Sequence, residues 1–281
     1  MEIYQATSQN LIVAQLERIK MHWTVKRTFD TFVEYYCGNE RNIRVLEIGS
    51  ANFNGGLRDQ KLSSMQWMGV DLSEGPGVDQ VVGLGESLPF DAASFDLVVA
   101  SSVFEHDIQF WNTFLEMSRV MKPGGYLLLI MPSQGAFHRY PLDAFRFYPD
   151  AGIALEKWAQ SCNRSIRLVE SFTTPPQIDL WADYIAIFTG KLELQPHRHI
   201  GGLLRGENWI VGNELIESTF QEFPFEFRRI SELQESNAIL VKQIEGVRDQ
   251  LSELLSSKSW RLTKPFRFIL SKFRIVKPSH K

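Results

Sequence analysis

Along the opening stretch of the chain, apolar positions recur at threes and fours. Leu11, Ile12, Leu16, Ile19, Trp23, Phe29, Phe32, Val33 and Tyr36 mark one face of a helix expected over residues 8–36. From Arg44 the period changes. "RVLEIG", "QWMGVD", "DQVVG", "FDLVVAS" and "GYLLLIMP" are short runs rich in β-branched residues and leucine. Runs apolar on both faces belong to strands covered on both sides, which predicts a parallel sheet with crossover helices. "DIQFWNTFLEMSRVM" reads as an amphipathic helix, stopped by the breaker cluster Lys122-Pro123-Gly124-Gly125. "SIRLVESF" and "YIAIFTG" supply two more strands.

Residues 194–226 are Gly-rich and aperiodic, and read as a connector with little regular structure. Beyond them Ile230, Leu233, Asn237, Leu240, Ile244, Val247, Leu251 and Leu254 alternate spacings of three and four. That is a narrow heptad seam, whereas a helix packed on its own domain would show a wider stripe. A coiled coil over 227–256 follows, with homo-oligomerisation as its purpose. Asn237 at an a position favours a parallel dimer over a trimer. The expected organisation is a helical segment (1–40), an α/β domain (41–193), the connector, the coiled coil and a basic tail (257–281).

Composition changes this picture little, and charge changes it more. With 44% apolar and 22% charged residues, the 281-residue chain is of ordinary globular make-up. "MEIYQATSQN" has neither a basic n-region nor an apolar h-region, and no apolar run approaches the roughly 18 residues of a membrane span. Cys37 and Cys162 fit neither a zinc site nor a disulfide framework, so they read as core residues in a reducing cytosol. The net charge of −3 is unevenly spread: eight bases and no acid follow Glu253, leaving 22 bases against 33 acids, or −11, for residues 1–253. So acidic a body makes nucleic acid an improbable partner.

The chemistry is expected around "RVLEIGSANFNGG". A dinucleotide site asks for G-x-G-x-x-G after the first strand, but here Gly49 and Ala51 precede Asn54, Gly55 and Gly56. In a doubly wound sheet the ligand sits beyond the carboxyl ends of the strands, at the switch point. Asp71, ending the second strand, is placed there to accept hydrogen bonds from ribose hydroxyls. Alone, the loop is weak evidence.

Three further stretches sharpen it. "GVDLSEGPGVD", "ESLPFDAASFDLVVASSVFEH" and "FLEMSRVMKPGGYLLLIMP", in this order, resemble the class I S-adenosylmethionine-dependent methyltransferases, in the branch marked by LPF, SFD, EH and K-P-G-G. The resemblance implies an α/β, doubly wound, mostly parallel Rossmann-like sheet. It also implies S-adenosyl-L-methionine as cofactor, which carries no phosphate and tolerates the degenerate loop. A nicotinamide oxidoreductase fits less well, because no Y-x-x-x-K pair follows the fourth strand.

Carried over by position, Glu47, Gly49, Ser50 and Ala51 line the methionine and ribose region. Asp71 holds the ribose, and Leu72 adjoins it. Leu84, Gly85, Glu86, Ser87 and Leu88 flank the adenine, and Ser101 begins the loop over the cofactor. Two departures stand out. Leu84 occupies a position where many relatives have an acid, and "SEGPGVDQ" after Asp71 is too short for the usual crossover helix.

Methyl transfer from a sulfonium is an in-line displacement, and an alcohol acceptor must lose its proton to a base. His106 in "FEHD" and His138 in "MPSQGAFHRYPLDAFRFYPD" are the candidates, with Asp143 orienting an imidazole or bonding an acceptor hydroxyl. The plainer alternatives are loop architecture for Glu105 and His106, and helix capping by an Asp143–Arg146 pair. Phe137, Tyr140 and Phe145 could stack on a sugar face. No acidic cluster suggests a metal, so metal independence is expected.

The tail "SKSWRLTKPFRFILSKFR" interleaves bases with Trp260, Leu262, Phe266, Phe268, Ile269, Leu270 and Phe273, which suits an anionic membrane surface. Its S-x-S-W-R-x-T-x-P-x-R pattern is similar to the closing segment of bacterial surface-polysaccharide enzymes. Together these imply an O-methyltransferase acting on a sugar hydroxyl of a lipid-linked glycan, of O-antigen or capsule type. It would work in the cytoplasm, peripherally at the inner face of the membrane. A small-molecule methyltransferase (quinone or secondary metabolite) or a catalytically silent scaffold are the alternatives.

Overall fold

The computed structural model describes residues 23–38, 42–52, 55–60, 65–139, 141–177, 181–191, 199–217 and 225–263. The first turns of the expected N-terminal helix, Asn54, Tyr140 and the tail beyond Thr263 lie outside the described residues. The chain divides into two units, Met1–Thr219 and Phe220–Lys281.

In the first unit, α1 (Trp23–Phe32) continues into one π-helical turn (Val33–Cys37). The strands are β1 (Ile43–Ile48), β2 (Met65–Asp71), β3 (Gln80–Val81), β4 (Phe95–Ser101), β5 (Met121–Gln134), β6 (Arg167–Thr173), β7 (Ala182–Thr189), β8 (Glu207–Val211) and β9 (Glu214–Glu217). Between them run α2 (Phe110–Val120), α3 (Asp150–Ser161) and α4 (Ile200–Leu204). The sheet order is β3-β2-β1-β4-β5-β7-β6-β8-β9. The strands from β3 to β5 pair in parallel, and β7 enters antiparallel between β5 and β6.

Period-2 alternation sorts the core into two layers. Leu46, Ile48, Val98 and Ala100 face Phe114 and Met117 of α2 and Leu155 and Ala159 of α3. Val45, Leu97, Val99 and Ile130 face Phe29 and Phe32 of α1 and Ile200 and Leu204 of α4. Helices therefore cover both sheet faces, as the doubly apolar strand runs require.

Two expectations need correction. Among the described residues no α-helix joins β1 to β2, where there is a 3-10 turn (Leu57–Gln60), or β3 to β4, which a loop connects; between β2 and β3 the chain turns without a helix, as expected from the short "SEGPGVDQ". Residues 72–79 are too few for a crossover helix, and residues 82–94, which carry Gly83, Gly85 and Pro89, pass over as turns. The segment read as a connector also carries α4, β8 and β9 and extends the sheet by two strands. Its cause is the buried Glu170 carboxylate on β6. It accepts hydrogen bonds from Tyr36 Oη at 2.5 Å, Ile200 N at 2.8 Å, Gly201 N at 3.0 Å and Trp209 Nε1 at 2.8 Å. One side chain on β6 thus ties together the π-helical turn after α1, the start of α4 and β8.

The second unit contains α5 (Phe225–Ser256) and the short α6 (Lys258–Leu262), whose first turn is capped by the Ser257 hydroxyl accepting from Trp260 N. On α5 the seam residues Leu233, Leu240, Ile244, Val247, Leu251 and Leu254 are all exposed. No described helix is long and apolar enough to cross a membrane.

Candidate active site

The carboxyl ends of β1, β2 and β4 lie level, and β5 runs on beyond them to Gln134. Ile48 pairs with Val70 and with Ala100, and Ser101 pairs with Ile130. The sheet order reverses between β1 and β4, which opens a crevice above those ends. Gly49 begins the loop after β1 with φ +75°, and a Cβ there would lie 2.3 Å from Val103 Cγ2. Only glycine fits, and the loop after β4 rests directly on the loop after β1.

Asp71 organises this rim. Its Oδ2 accepts from Ala51 N at 2.9 Å and its Oδ1 from Leu72 N at 2.7 Å. Each carboxylate oxygen keeps a further lone pair, so the pinned group can still accept from two ligand hydroxyls. The short segment after Asp71 folds back under the glycine turn: Asn52 N donates to Pro76 O at 2.7 Å, and Arg58 pairs with Asp79 at 2.8 Å. Leu72 and Leu84 stand exposed on the rim as apolar walls. Glu86 closes its own turn, accepting from Gly83 N at 3.0 Å, with Gly85 at φ +77° inside it. Arg119 of α2 donates to Leu88 O and Phe90 O at 2.8 and 2.7 Å, which fixes the LPF segment. Ser101 is the half-buried last residue of β4, and the Ser50 hydroxyl is buried with no partner among the described residues.

Glu47 faces the α1 layer, where its carboxylate accepts from Trp67 Nε1 at 2.9 Å. Burial, only partly offset by that bond and by Arg58, pushes its carboxyl from 4.5 up to about 7. A carboxyl raised on folding keeps its proton while the unfolded chain ionises, so it removes stability as pH rises between those two values. Glu47→Gln keeps an acceptor for Trp67 and abolishes the titration. Relative to the parent, its unfolding free energy should rise by about 3 kcal/mol between pH 4.5 and 7.5. Parallel urea curves for the two proteins across that range would sink this assignment.

On the other side of the crevice, the loops after β4 and β5 meet. Glu105 is fully buried, with no hydrogen bond to either carboxylate oxygen among the described residues. Burial lifts its carboxyl to about 8, against the pull of its own backbone N–H and of Arg146. His106 Nε2 lies 3.6 Å from Glu105 Oε1, while its Nδ1 contacts Leu142 O. Burial also holds the His106 imidazole below its ordinary value. The His138 ring sits 5.1 Å from the His106 ring, edge to face. Its Nδ1 faces Ala136 O at 3.1 Å and Asp143 Oδ2 at 3.5 Å. Asp143 accepts from His138 N at 2.8 Å and is gripped by Arg146, whose guanidinium holds its carboxyl well below the usual carboxylate range.

The two candidate histidines are therefore one cluster rather than alternatives. The Asp143–Arg146 pair braces the 136–138 loop, with Arg146 Nη2 donating to Ala136 O at 3.3 Å, instead of capping α3, where no side chain caps. Phe145 packs on Phe110 in the core layer, while Phe137 is 73% exposed. Two site residues escaped the sequence reading. Glu105 looked like a backbone-bonding loop acid. Trp181, 5.6 Å from His138, arrives from the segment before β7, where no motif marks it.

Residues 37–129 match a family model described as a methyltransferase domain. Over 101 residues the chain is 37% identical to phthiotriol/phenolphthiotriol dimycocerosates methyltransferase 1 of Mycobacterium ulcerans, covering 30% of this chain and 36% of that one. The Mycobacterium tuberculosis protein described as phthiotriol/phenolphthiotriol dimycocerosates methyltransferase is 35% identical over 99 residues, covering 30% and 35%. The chain thus spans about a third of the length of these curated relatives. Among solved structures, a Burkholderia thailandensis 1,6-didemethyltoxoflavin-N1-methyltransferase with bound S-adenosylhomocysteine is 15% identical with a TM-score of 0.44, covering 66% of this chain and 88% of that one.

Proposed function

We propose that the chain, whose residues 37–129 match a methyltransferase-domain model, is an S-adenosylmethionine-dependent O-methyltransferase of class I. The carrying observation is Asp71, pinned by Ala51 N and Leu72 N at the switch point with a lone pair to spare on each oxygen. Bare backbone at Gly49 and the exposed walls Leu72 and Leu84 suit the rest of a nucleoside. When bound, S-adenosylmethionine supplies an electrophilic methyl on a sulfonium. The chain's own residues then have two tasks: to hold an acceptor hydroxyl in line and to take up or release its proton. Glu105, His106 and His138 are the groups on the acceptor side that can do the second.

The acceptor we propose is a sugar hydroxyl of a lipid-linked glycan. The exposed seam on α5 supports a parallel dimer, and exposed Trp260 and Leu262 beside Lys258 and Arg261 support contact with an anionic membrane. A dimer would double weak surface contacts. The mycobacterial relatives, whose names give dimycocerosate acceptors, favour a second reading, a free lipid or small-molecule acceptor.

Calorimetry with S-adenosylmethionine should give one site per chain; no heat and no thermal shift would eliminate catalysis. Labelled cofactor incubated with extracted lipid-linked oligosaccharides, and separately with lipids free of sugar, then tells the two acceptors apart. The full chain should co-sediment with anionic vesicles and lose that on deletion of 257–281; unchanged sedimentation would refute the membrane role.

A further inference from the structure

We propose that Glu105, His106 and His138 form a binding site for a divalent first-row transition ion of the zinc class, at the acceptor side of the crevice. Each offers one ligand atom, and the three atoms lie within 4.8 Å of one another. Side-chain rotation that draws them in by about an ångström gives the roughly 2.0–2.2 Å bonds such ions make to nitrogen and carboxylate oxygen.

Glu105 supplies the first reason. It is 0% exposed and neither carboxylate oxygen finds a partner among the described residues. The nearest guanidinium, Arg146, is already committed to Asp143 at 2.8 Å. Ionising a buried carboxyl with no side-chain donor is unfavourable, and a cation held between it and the histidines would offset that penalty.

The histidines supply the second, independent reason. His106 Nδ1 meets Leu142 O, and His138 Nδ1 meets Ala136 O at 3.1 Å with Asp143 Oδ2 at 3.5 Å. A carbonyl can only accept, so both Nδ1 atoms carry the proton and both Nε2 lone pairs are left to ligate. Metal-binding imidazoles are oriented in this way by a carbonyl or carboxylate behind them. Here Asp143, clamped by Arg146 and bonded to His138 N, is such a backing group.

Two imidazoles and one carboxylate suit zinc, manganese or iron and disfavour magnesium and calcium, which prefer all-oxygen sets. Three protein ligands leave a coordination position open. With an ion in place these three groups would act as ligands in place of bases: the ion would acidify an acceptor hydroxyl bound there, whose proton would pass to solvent, and the oxygen lone pair would form the C–O bond as the C–S pair returns to sulfur. That role rests on the methyl-transfer reading, whereas binding of the ion does not. An ion here would replace the metal independence expected from the lack of an acidic cluster, because a His-containing ligand set forms between loops distant in sequence.

The test uses the full chain stripped with chelator and titrated with Zn2+, then Mg2+, by calorimetry, with metal content measured after dialysis. One retained Zn2+ per chain is expected, with no response to Mg2+. Glu105→Gln, which keeps the side chain's volume, and His138→Ala should each weaken Zn2+ binding at least ten-fold. Co2+ in place of Zn2+ should give a visible absorption band that disappears in either variant. Zn2+ binding unchanged in both variants, or no Co2+ band in the parent, overturns the site. S-adenosylmethionine calorimetry on the same samples separates the outcomes: an ion without cofactor binding keeps this site and removes the methyltransferase reading.

Discussion

Asp71→Ala is expected to weaken S-adenosylmethionine binding by two to three orders of magnitude while leaving the fold intact. Asp71 ends β2 at the sheet surface, and its carboxylate is oriented by Ala51 N at 2.9 Å and Leu72 N at 2.7 Å. Hydrogen bonds to a charged acceptor contribute about 1.5–3 kcal/mol each, so losing two from the ribose costs about 3–4 kcal/mol. Asp71→Asn, which keeps one acceptor without the charge, should fall between. A dissociation constant within about threefold of the parent, measured by calorimetry, would show that the crevice binds some other ligand.

Glu170→Ala should have the largest effect on stability. Four donors converge on that carboxylate from Tyr36, Ile200, Gly201 and Trp209. Truncation leaves all four without an acceptor in a buried site, and we expect a loss of about 3–5 kcal/mol in urea unfolding. The Tyr36 hydroxyl, whose ionisation burial pushes far above its ordinary range, stays a donor at every accessible pH. A loss under about 1 kcal/mol would mean that the donors find water or each other. In that case α4 and β8 would not depend on this anchor.

Glu170 also marks where sequence reading stops. The parallel strands were legible because "RVLEIG" and "FDLVVAS" are apolar on both faces, and two-sided burial leaves that imprint. The positions of Gly49 and Asp71 were legible because a strand-end turn followed by a strand-end acid is a local pattern. Glu170 sits in an equally ordinary strand, but its four donors are spread from residue 36 to residue 209. No local pattern encodes such a convergence. The hairpin β8–β9 did leave a trace: Gly212-Asn213 between two apolar runs, with Gly212 at φ +59°. Surrounding glycines masked it. Likewise, "EH" marks Glu105 and His106 together, but only the packing of the β5 loop brings His138 to them.

The outer margin of the sheet has a consequence of its own. β9 runs for only four residues, Glu214–Glu217, and opens with an exposed carboxylate on a body that carries −11 over residues 1–253. A free strand margin tends to recruit a neighbouring chain, and brevity and like charge are the usual deterrents. If α5 pairs as proposed, the crowded heads would therefore repel along their borders instead of zipping into fibrils.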